Sequence, residues 1–220
     1  MREYLSLSNL RRALPVAGAV TMLSIPRILQ GNLPVVLYTI AAFLSLILLS
    51  GAATAWGRKG GMAGLFPERR RMLFGVMLGA GLAVLVLPLY LAWVDPALHR
   101  AVTAAENPEV LRLRYPATTG GRFALVLWTA GFEIMFFQAF LMSFAARLTG
   151  RQSIAIACSV ALRLYVTHLG LMEAGVSGEY PLFMTSAGVS ALACAVLFAR
   201  FGFPASAVFS AGTSLHVFFI

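Results

Sequence analysis

The sequence predicts an all-α protein, a polytopic bundle of about seven transmembrane helices. Of its 220 residues, 60% are hydrophobic and only 11% are charged, and the mean hydropathy is +0.84. A soluble globule of this size needs more polar surface than this composition supplies, so a bilayer is the solvent that suits the chain. The apolar residues also gather into runs that approach the roughly 20 residues a helix needs to cross the hydrocarbon core.

Charges, prolines and glycines divide the chain into seven apolar segments. They cover residues 13–29, 33–56, 72–93, 122–147, 153–172, 181–200 and 204–220. The first is the least regular, because prolines and Arg27 interrupt it, and it would suit a re-entrant or interfacial helix. Only two connections are long, residues 57–71 and residues 95–121. In the second, Asp95 and Pro96 resemble a helix cap followed by a first-turn proline.

Lysine and arginine side chains predict the orientation of the bundle, because loops rich in them stay on the cytoplasmic side. An N-terminus inside places eleven of these residues inside and five outside. The inner set is Arg2, Arg11, Arg12, Arg58, Lys59, Arg69, Arg70, Arg71, Arg147, Arg151 and Arg200, and the outer set is Arg27, Arg100, Arg112, Arg114 and Arg122. The formal charge of +9 therefore fits loops that face anionic lipid and not a nucleic acid. We expect a bacterial inner-membrane protein with its N-terminus in and its C-terminus out.

A few ionisable side chains fall inside the apolar segments. Glu133 lies about 11 residues into the fourth segment, hence ~16 Å along the helix axis and near mid-membrane. Arg163 and His168 share the fifth segment, and His216 lies in the seventh. A charged group at this depth is costly unless it faces a partner or a wet cavity, so these residues are candidates for a functional site.

Several interpretations of this set are open. An ion pair of Glu133 with Arg163 would lock two helices together, but it leaves the histidines unexplained. One glutamate and two histidines match a catalytic zinc set, although no HExxH motif places two ligands one turn apart. An aspartyl dyad is excluded because Asp95 is the single aspartate. A serine mechanism would use Ser190 with His216 as base, whereas a small residue in AGVSALA is more typical of helix packing.

Three segments resemble the motifs of the CPBP intramembrane protease family, the glutamic endopeptidases that include the CAAX prenyl endopeptidase and bacteriocin-processing relatives. EIMFFQAFLM, which begins at Glu133, resembles the EExxxR motif, and SVALRLYVTHLG, which ends at Gly170, resembles the FxxxH motif. LFARFGFPASAVFSAGTSLHVFFI, which begins at Leu197, resembles the HxxxN motif with its preceding turn. The resemblance implies a single membrane domain, with N-terminal membrane helices and loops in residues 1–121 and a catalytic helical core in residues 122–220.

The chain departs from the family pattern at four positions. The second glutamate, the arginine, the phenylalanine and the asparagine are replaced by Ile134, Gln138, Leu164 and Ile220. We expect Arg163 to replace the arginine missing at Gln138 in orienting Glu133, and Thr213 or Ser214 to supply the donor lost with the asparagine. The degenerate pattern is most similar to myxosortase-type branches, and a catalytically inactive relative is an open alternative.

The resemblance implies that the chain hydrolyses a peptide bond of a membrane-anchored protein without a metal or cofactor. Glu133 and His168 would hold and deprotonate a water, and His216 would donate to the oxyanion. Because His168 lies within about a turn of the outer helix end, the cut would fall near the outer leaflet, as suits a C-terminal sorting helix of an exported protein. The alternative from another class is a membrane protein that uses Glu133 and Arg163 as a proton or ion site.

Overall fold

The computed structural model describes residues 6–30, 34–57 and 61–219, and all regular structure in these ranges is helical. Within the described residues, each of the seven apolar segments consists largely of helix, which confirms the all-α prediction. The helices are α1 (Leu7–Ile28), α2 (Val35–Trp56), α3 (Arg69–Leu89), α4 (Asp95–Ala104), α5 (Pro108–Arg114), α6 (Thr119–Trp128), α7 (Met142–Thr149), α8 (Gln152–Glu173), α9 (Tyr180–Phe201) and α10 (Phe203–Ser214). Four residues that enter the predicted orientation and motifs lie outside the described residues: Arg2, Arg58, Lys59 and Ile220.

Five helices of the described part are long and apolar enough to cross a membrane. They span Val35–Trp56, Arg69–Ala104, Thr119–Thr149, Gln152–Glu173 and Tyr180–Phe201. Helix α1 packs along α2, and the shorter α10 packs against α3 and α9. The number of helices that meet this criterion is thus smaller than the seven expected, because α1 is less apolar and α10 is short. The five helices indicate an integral membrane protein.

Two of the long helices contain a π-helical segment. Residues Tyr90–Val94 join α3 to α4, and residues Thr129–Leu141 join α6 to α7. A π turn closes i→i+5 hydrogen bonds and rotates the residues beyond it relative to a regular helix, and such turns are frequent at functional sites. The hydrophobic pattern of the sequence predicted neither π segment.

The prediction that Asp95 caps a helix at the start of a loop is wrong. The helix that begins at Arg69 continues without interruption to Ala104, and the residue that precedes α4 is Val94, with Pro96 in the first turn. Asp95 therefore lies inside a continuous helix and is buried. Because the helix continues beyond residue 93, the carboxylate of Asp95 lies inside the bundle. In a loop it would have faced solvent.

Backbone hydrogen bonds tie the connections together at the two ends of the bundle. At one end, the amide of Ala63 donates to the carbonyl of Ala199 (2.9 Å). At the other end, the amide of Asn107 donates to the carbonyl of Ala174 (3.3 Å), which holds the turn after α4 against the end of α8. Beside this second end lies an apolar cluster that includes Val94, Leu98, Leu111, Leu171 and Phe183.

Small residues allow α3 and α10 to approach closely. Gly75, Gly79 and Ala83 recur at every fourth position on the buried face of α3. A Cβ atom on Gly79 would lie 2.5 Å from the carbonyl oxygen of Ala205, and one on Gly212 would lie 2.6 Å from Cβ of Ala83. Such spacing of small residues is typical of closely packed membrane helices. Because a 3₁₀ turn at Leu215–Phe218 follows α10 directly, this packing fixes the position of His216.

We expect Gly79→Val to destabilise the bundle by about 1–3 kcal/mol, because the added atoms overpack the contact between α3 and α10. Thermal unfolding in detergent micelles, followed by circular dichroism, measures the change. The matched control is Gly81→Val on the same helix, since a Cβ atom on Gly81 has no heavy atom within 4 Å. Equal losses in the two variants would contradict the assignment to packing.

Candidate functional site

A cavity of about 280 Å³ lies inside the bundle. Its walls come from the two π segments, from α1, α6, α8 and α9, and from α10 with the 3₁₀ turn that follows it. Leu111 of α5 and Tyr115, just after α5, complete the lining. The lining is unusually polar for an apolar bundle. Its polar side chains are Arg27, Tyr90, Tyr115, Thr129, Glu133, Arg163, Thr167, Ser186, Ser190, Ser210, Thr213, Ser214 and His216. A polar space of this size can hold several water molecules.

Glu133 and Arg163 form an ion pair in the wall of the cavity. Oε2 of Glu133 lies 2.7 Å from Nη2 of Arg163, and the two side chains are 23% and 24% exposed. The pairing suggested by the sequence is confirmed. The guanidinium also lies over the ring of Phe137, 5.3 Å from its centroid, a cation–π contact that further limits its orientation. Arg27, at the end of α1, lines the same cavity and interacts electrostatically with Glu133.

The π segment presents Glu133 to the cavity. Ser159 on α8 donates a hydrogen bond to the carbonyl oxygen of Phe137 (3.0 Å), which satisfies one backbone acceptor within this irregular stretch. The segment is therefore tied to α8 by a backbone contact as well as by the ion pair. This double attachment holds the carboxylate of Glu133 in a defined place.

His216 lines the cavity and pairs with Asp95. Nδ1 of His216 lies 2.5 Å from Oδ1 of Asp95, and the side chains are only 7% and 10% exposed. The rings of Tyr90 and Tyr115 flank the imidazole, with centroids 4.8 Å and 6.4 Å away. Asp95 is the residue that sequence reasoning missed, and the only signal for it was a single aspartate at the end of an apolar segment.

His168 is not brought to this cavity. Its Nδ1 lies 2.7 Å from the hydroxyl of Tyr180, and it is absent from the described residues that line the cavity. Helix α8 instead presents Arg163, Thr167 and Leu171, which follow each other at intervals of four and share one face. His168 lies on a neighbouring face and is only partly buried, contrary to the expectation that both histidines are buried. A role in activating water stays a prediction.

The predicted supporting residues also fall into two groups, one at the cavity and one away from it. Gln138 is fully buried away from the cavity, and its amide atoms have no hydrogen-bond partner among the described residues. Thr213 lines the cavity and donates to the carbonyl of Phe209 (3.0 Å). The hydroxyl of Ser214 hydrogen-bonds to that of Thr129 (3.1 Å), which joins α10 to the wall that carries Glu133.

Comparison with known proteins gave no family model that matches the chain, and neither a curated protein nor a solved structure matches it significantly. The resemblance to the CPBP family thus consists of the three motif segments that carry Glu133, His168 and His216.

In the described residues, no group of three histidine, cysteine, aspartate or glutamate side chains is placed to hold a metal ion. The carboxylate of Glu133 and the imidazole of His216 are nevertheless at one cavity, where proton transfer with water is feasible.

We expect the ion pair of Glu133 and Arg163 to show a coupling free energy of about 1–3 kcal/mol in a double-mutant cycle. Glu133→Arg and Arg163→Glu should each destabilise the bundle, because each leaves two like charges in an apolar surrounding. The double exchange should recover stability in a thermal unfolding assay in micelles.

The matched control is the exposed pair of Glu109 and Arg112, whose carboxylate and guanidinium are 2.9 Å apart. Reversal of Glu109 should change stability by less than about 1 kcal/mol, since water screens this pair. Additive effects of the two exchanges at Glu133 and Arg163 would show that their contact does not contribute to folding.

Proposed function

We propose that this chain is an intramembrane endopeptidase of the glutamic type, which hydrolyses a peptide bond of a membrane-anchored protein. The observation that carries the proposal is the arrangement of Glu133, Arg163 and His216 around one polar cavity inside a bundle of apolar helices. Peptide hydrolysis needs a water molecule, a base and donors for the oxyanion. The cavity offers a carboxylate as base and an imidazole with hydroxyl groups as donors. The similarity to the CPBP motifs supports the same assignment.

Glu133 is the base in the proposed reaction. Arg163 holds its carboxylate, which takes a proton from water as the water oxygen attacks the carbonyl carbon of the substrate. His216 donates a hydrogen bond to the resulting oxyanion, with Ser214 and Thr213 beside it. When the C–N bond breaks, Glu133 returns the proton to the leaving amine, so the carboxylate is regenerated and no net proton is consumed.

The proposed cleavage is tested by mass spectrometry of C-terminally anchored exported proteins. Cells that carry the wild-type chain should contain a new C-terminus in one of these proteins, and cells that carry Glu133→Gln should lack it. Loss of the base should slow the reaction by at least about 10²-fold. Identical substrate proteins in the two strains, with equal amounts of both chains in the membrane, would overturn the proposal.

Two further variants in the same experiment separate the mechanisms. Ser190→Ala should still cleave, because Ser190 has no role in the glutamic mechanism, whereas its loss of activity would favour the serine alternative. His168→Ala should cleave better than His216→Ala, since only His216 lines the cavity. An inactive His168→Ala chain that is stably inserted would indicate a working conformation in which His168 reaches the water.

For the location we propose the bacterial inner membrane, with the N-terminus inside and the C-terminus outside. Leu111 and Tyr115, which line the cavity, lie in the connection between residues 95 and 121. The distribution of lysine and arginine assigns this connection to the outer side. A substrate would then be cut near the outer leaflet, which suits a C-terminal sorting helix of an exported protein.

The orientation predicts that alkaline phosphatase, which is active only outside the cytoplasm, gains activity when fused after Ala105. Fusion of the same reporter within the loop after α7, at Gly150, should be inactive, and green fluorescent protein should give the reverse pattern. Reporter activity confined to the Gly150 fusion would contradict the proposed orientation and the outer position of the cut.

One observation favours a second function, a membrane protein coupled to protons or ions. The carboxylate of Glu133 is already neutralised by Arg163, an arrangement that is also typical of ion pathways in transporters. Proton-coupled flux in liposomes that contain the chain, together with no cleavage of any membrane protein, would select this function. If the chain shows no flux and no cleavage, the result would indicate a catalytically inactive relative.

A further inference from the structure

Asp95 lies behind His216 as seen from the cavity. Its Oδ1 contacts Nδ1 of the imidazole at 2.5 Å. His216 lines the cavity, whereas Asp95 is not among the described residues that do so. The imidazole therefore separates the carboxylate from the cavity, and a substrate in the cavity would meet His216 but not Asp95.

The contact determines which ring nitrogen of His216 serves the cavity. An ionised carboxylate only accepts hydrogen bonds, so Nδ1 carries the proton that is donated to Asp95. Nε2 is then the nitrogen that remains for the cavity. The rings of Tyr90 and Tyr115 flank the imidazole and restrict its rotation about Cβ–Cγ, so that Nδ1 and Nε2 do not exchange places.

The carboxylate of Asp95 needs a polar partner inside the bundle. The second oxygen, Oδ2, is buried and has no hydrogen-bond partner among the described residues. A buried carboxylate is costly unless it is paired. The described hydrogen bonds give Asp95 one side-chain partner, the imidazole of His216, so this ring is the group placed to carry a counter-charge.

We infer that Asp95 is a positioning residue of the proposed hydrolytic site. Its carboxylate holds Nδ1–H of His216 and stabilises the imidazolium, so that Nε2–H is a charged donor to the oxyanion. The inference rests on the proposed function, because an oxyanion forms only if a peptide bond is attacked. His216 keeps its proton throughout: the hydrogen bond strengthens as the carbonyl oxygen gains charge and weakens when the tetrahedral intermediate collapses.

This role explains how the site works without the asparagine of the HxxxN motif, whose place Ile220 occupies. Loss of one oxyanion donor lowers a rate by about 10²- to 10³-fold. Hydrogen bonds from charged donors are roughly twice as strong as neutral ones. A single imidazolium donor therefore replaces part of the stabilisation that a neutral histidine and an asparagine would share.

The kinetic test uses the full chain in nanodiscs and an internally quenched peptide that spans the cut mapped by mass spectrometry. Asp95→Asn keeps the size of the side chain but removes its charge. We expect it to lower kcat by about 10²-fold with little change in KM, because the interaction strengthens only in the transition state. Glu179→Gln is the matched control, since it removes an acidic group that pairs with the exposed Arg100, and it should keep the wild-type kcat.

A second measurement requires no substrate and does not depend on the cleavage activity of any variant. Nitrogen-15 NMR of the chain labelled at its three histidines reports the protonation of each ring nitrogen, and His216→Gln identifies the signal of His216. In the wild-type chain, both nitrogens of His216 should be protonated, and in Asp95→Asn the ring should become neutral. A wild-type His216 that is neutral and protonated only at Nε2 would overturn the inference even if Asp95→Asn does not fold.

The outcomes distinguish this inference from the proposed function. If wild type cleaves, Glu133→Gln does not, and Asp95→Asn keeps the wild-type kcat, the proposed function stands and the role of Asp95 is refuted. If the wild-type chain and Glu133→Gln are equally inactive towards all candidate substrates, the proposed function fails and the positioning role fails with it. A selective loss of kcat in Asp95→Asn together with the change in the His216 signal supports the inference.

Discussion

A charged or polar side chain inside a bundle of apolar helices is stable only beside a polar partner, and this constraint organises the centre of the molecule. Glu133 meets Arg163 at 2.7 Å, and Asp95 meets His216 at 2.5 Å. The first contact joins two helices that follow each other in the chain, and the second joins residues 121 positions apart. Each pair satisfies buried polar groups and also fixes the position of two helical segments around the cavity. Separation of either pair would leave a charge in a medium that solvates it poorly.

Close packing of small residues brings the second pair together. Asp95 and His216 lie just beyond α3 and α10, and those helices touch along Gly79 and its neighbours. A larger side chain on this face would separate the helices and would pull the carboxylate away from the imidazole. The hydrogen bond between Asp95 and His216 and the small-residue contact thus depend on each other. The fold uses van der Waals contact where water-soluble proteins rely on the hydrophobic effect.

The two pairs are suited to different tasks because their surroundings differ. Glu133 and Arg163 are partly exposed to the cavity, so the carboxylate has access to water. Asp95 and His216 are buried, and only the imidazole reaches the cavity. In the proposed hydrolysis the first pair would supply a base and the second a fixed donor, which are two of the groups that peptide hydrolysis requires.

The sequence by itself determined the helical class and the membrane setting, and it offered the pairing of Glu133 with Arg163 as one interpretation, because length, apolarity and the cost of a lone charge in lipid are local properties. The sequence also contained a signal against placing Arg163 and His168 at one site. A spacing of five residues sets Arg163 and His168 about 140° apart on a regular helix, so they do not share a face.

Only the tertiary structure decided that Asp95 belongs to the site and that Gln138 does not. Asp95 and His216 are 121 positions apart, and their contact depends on how far the helix that begins at Arg69 continues and on how closely α3 meets α10. The face on which Gln138 lies depends on the π segment, which shifts every later residue around the helix axis. Which residues form a helix follows from their neighbours in the sequence. The rotation of each helix and its contacts depend on the packing of the whole bundle.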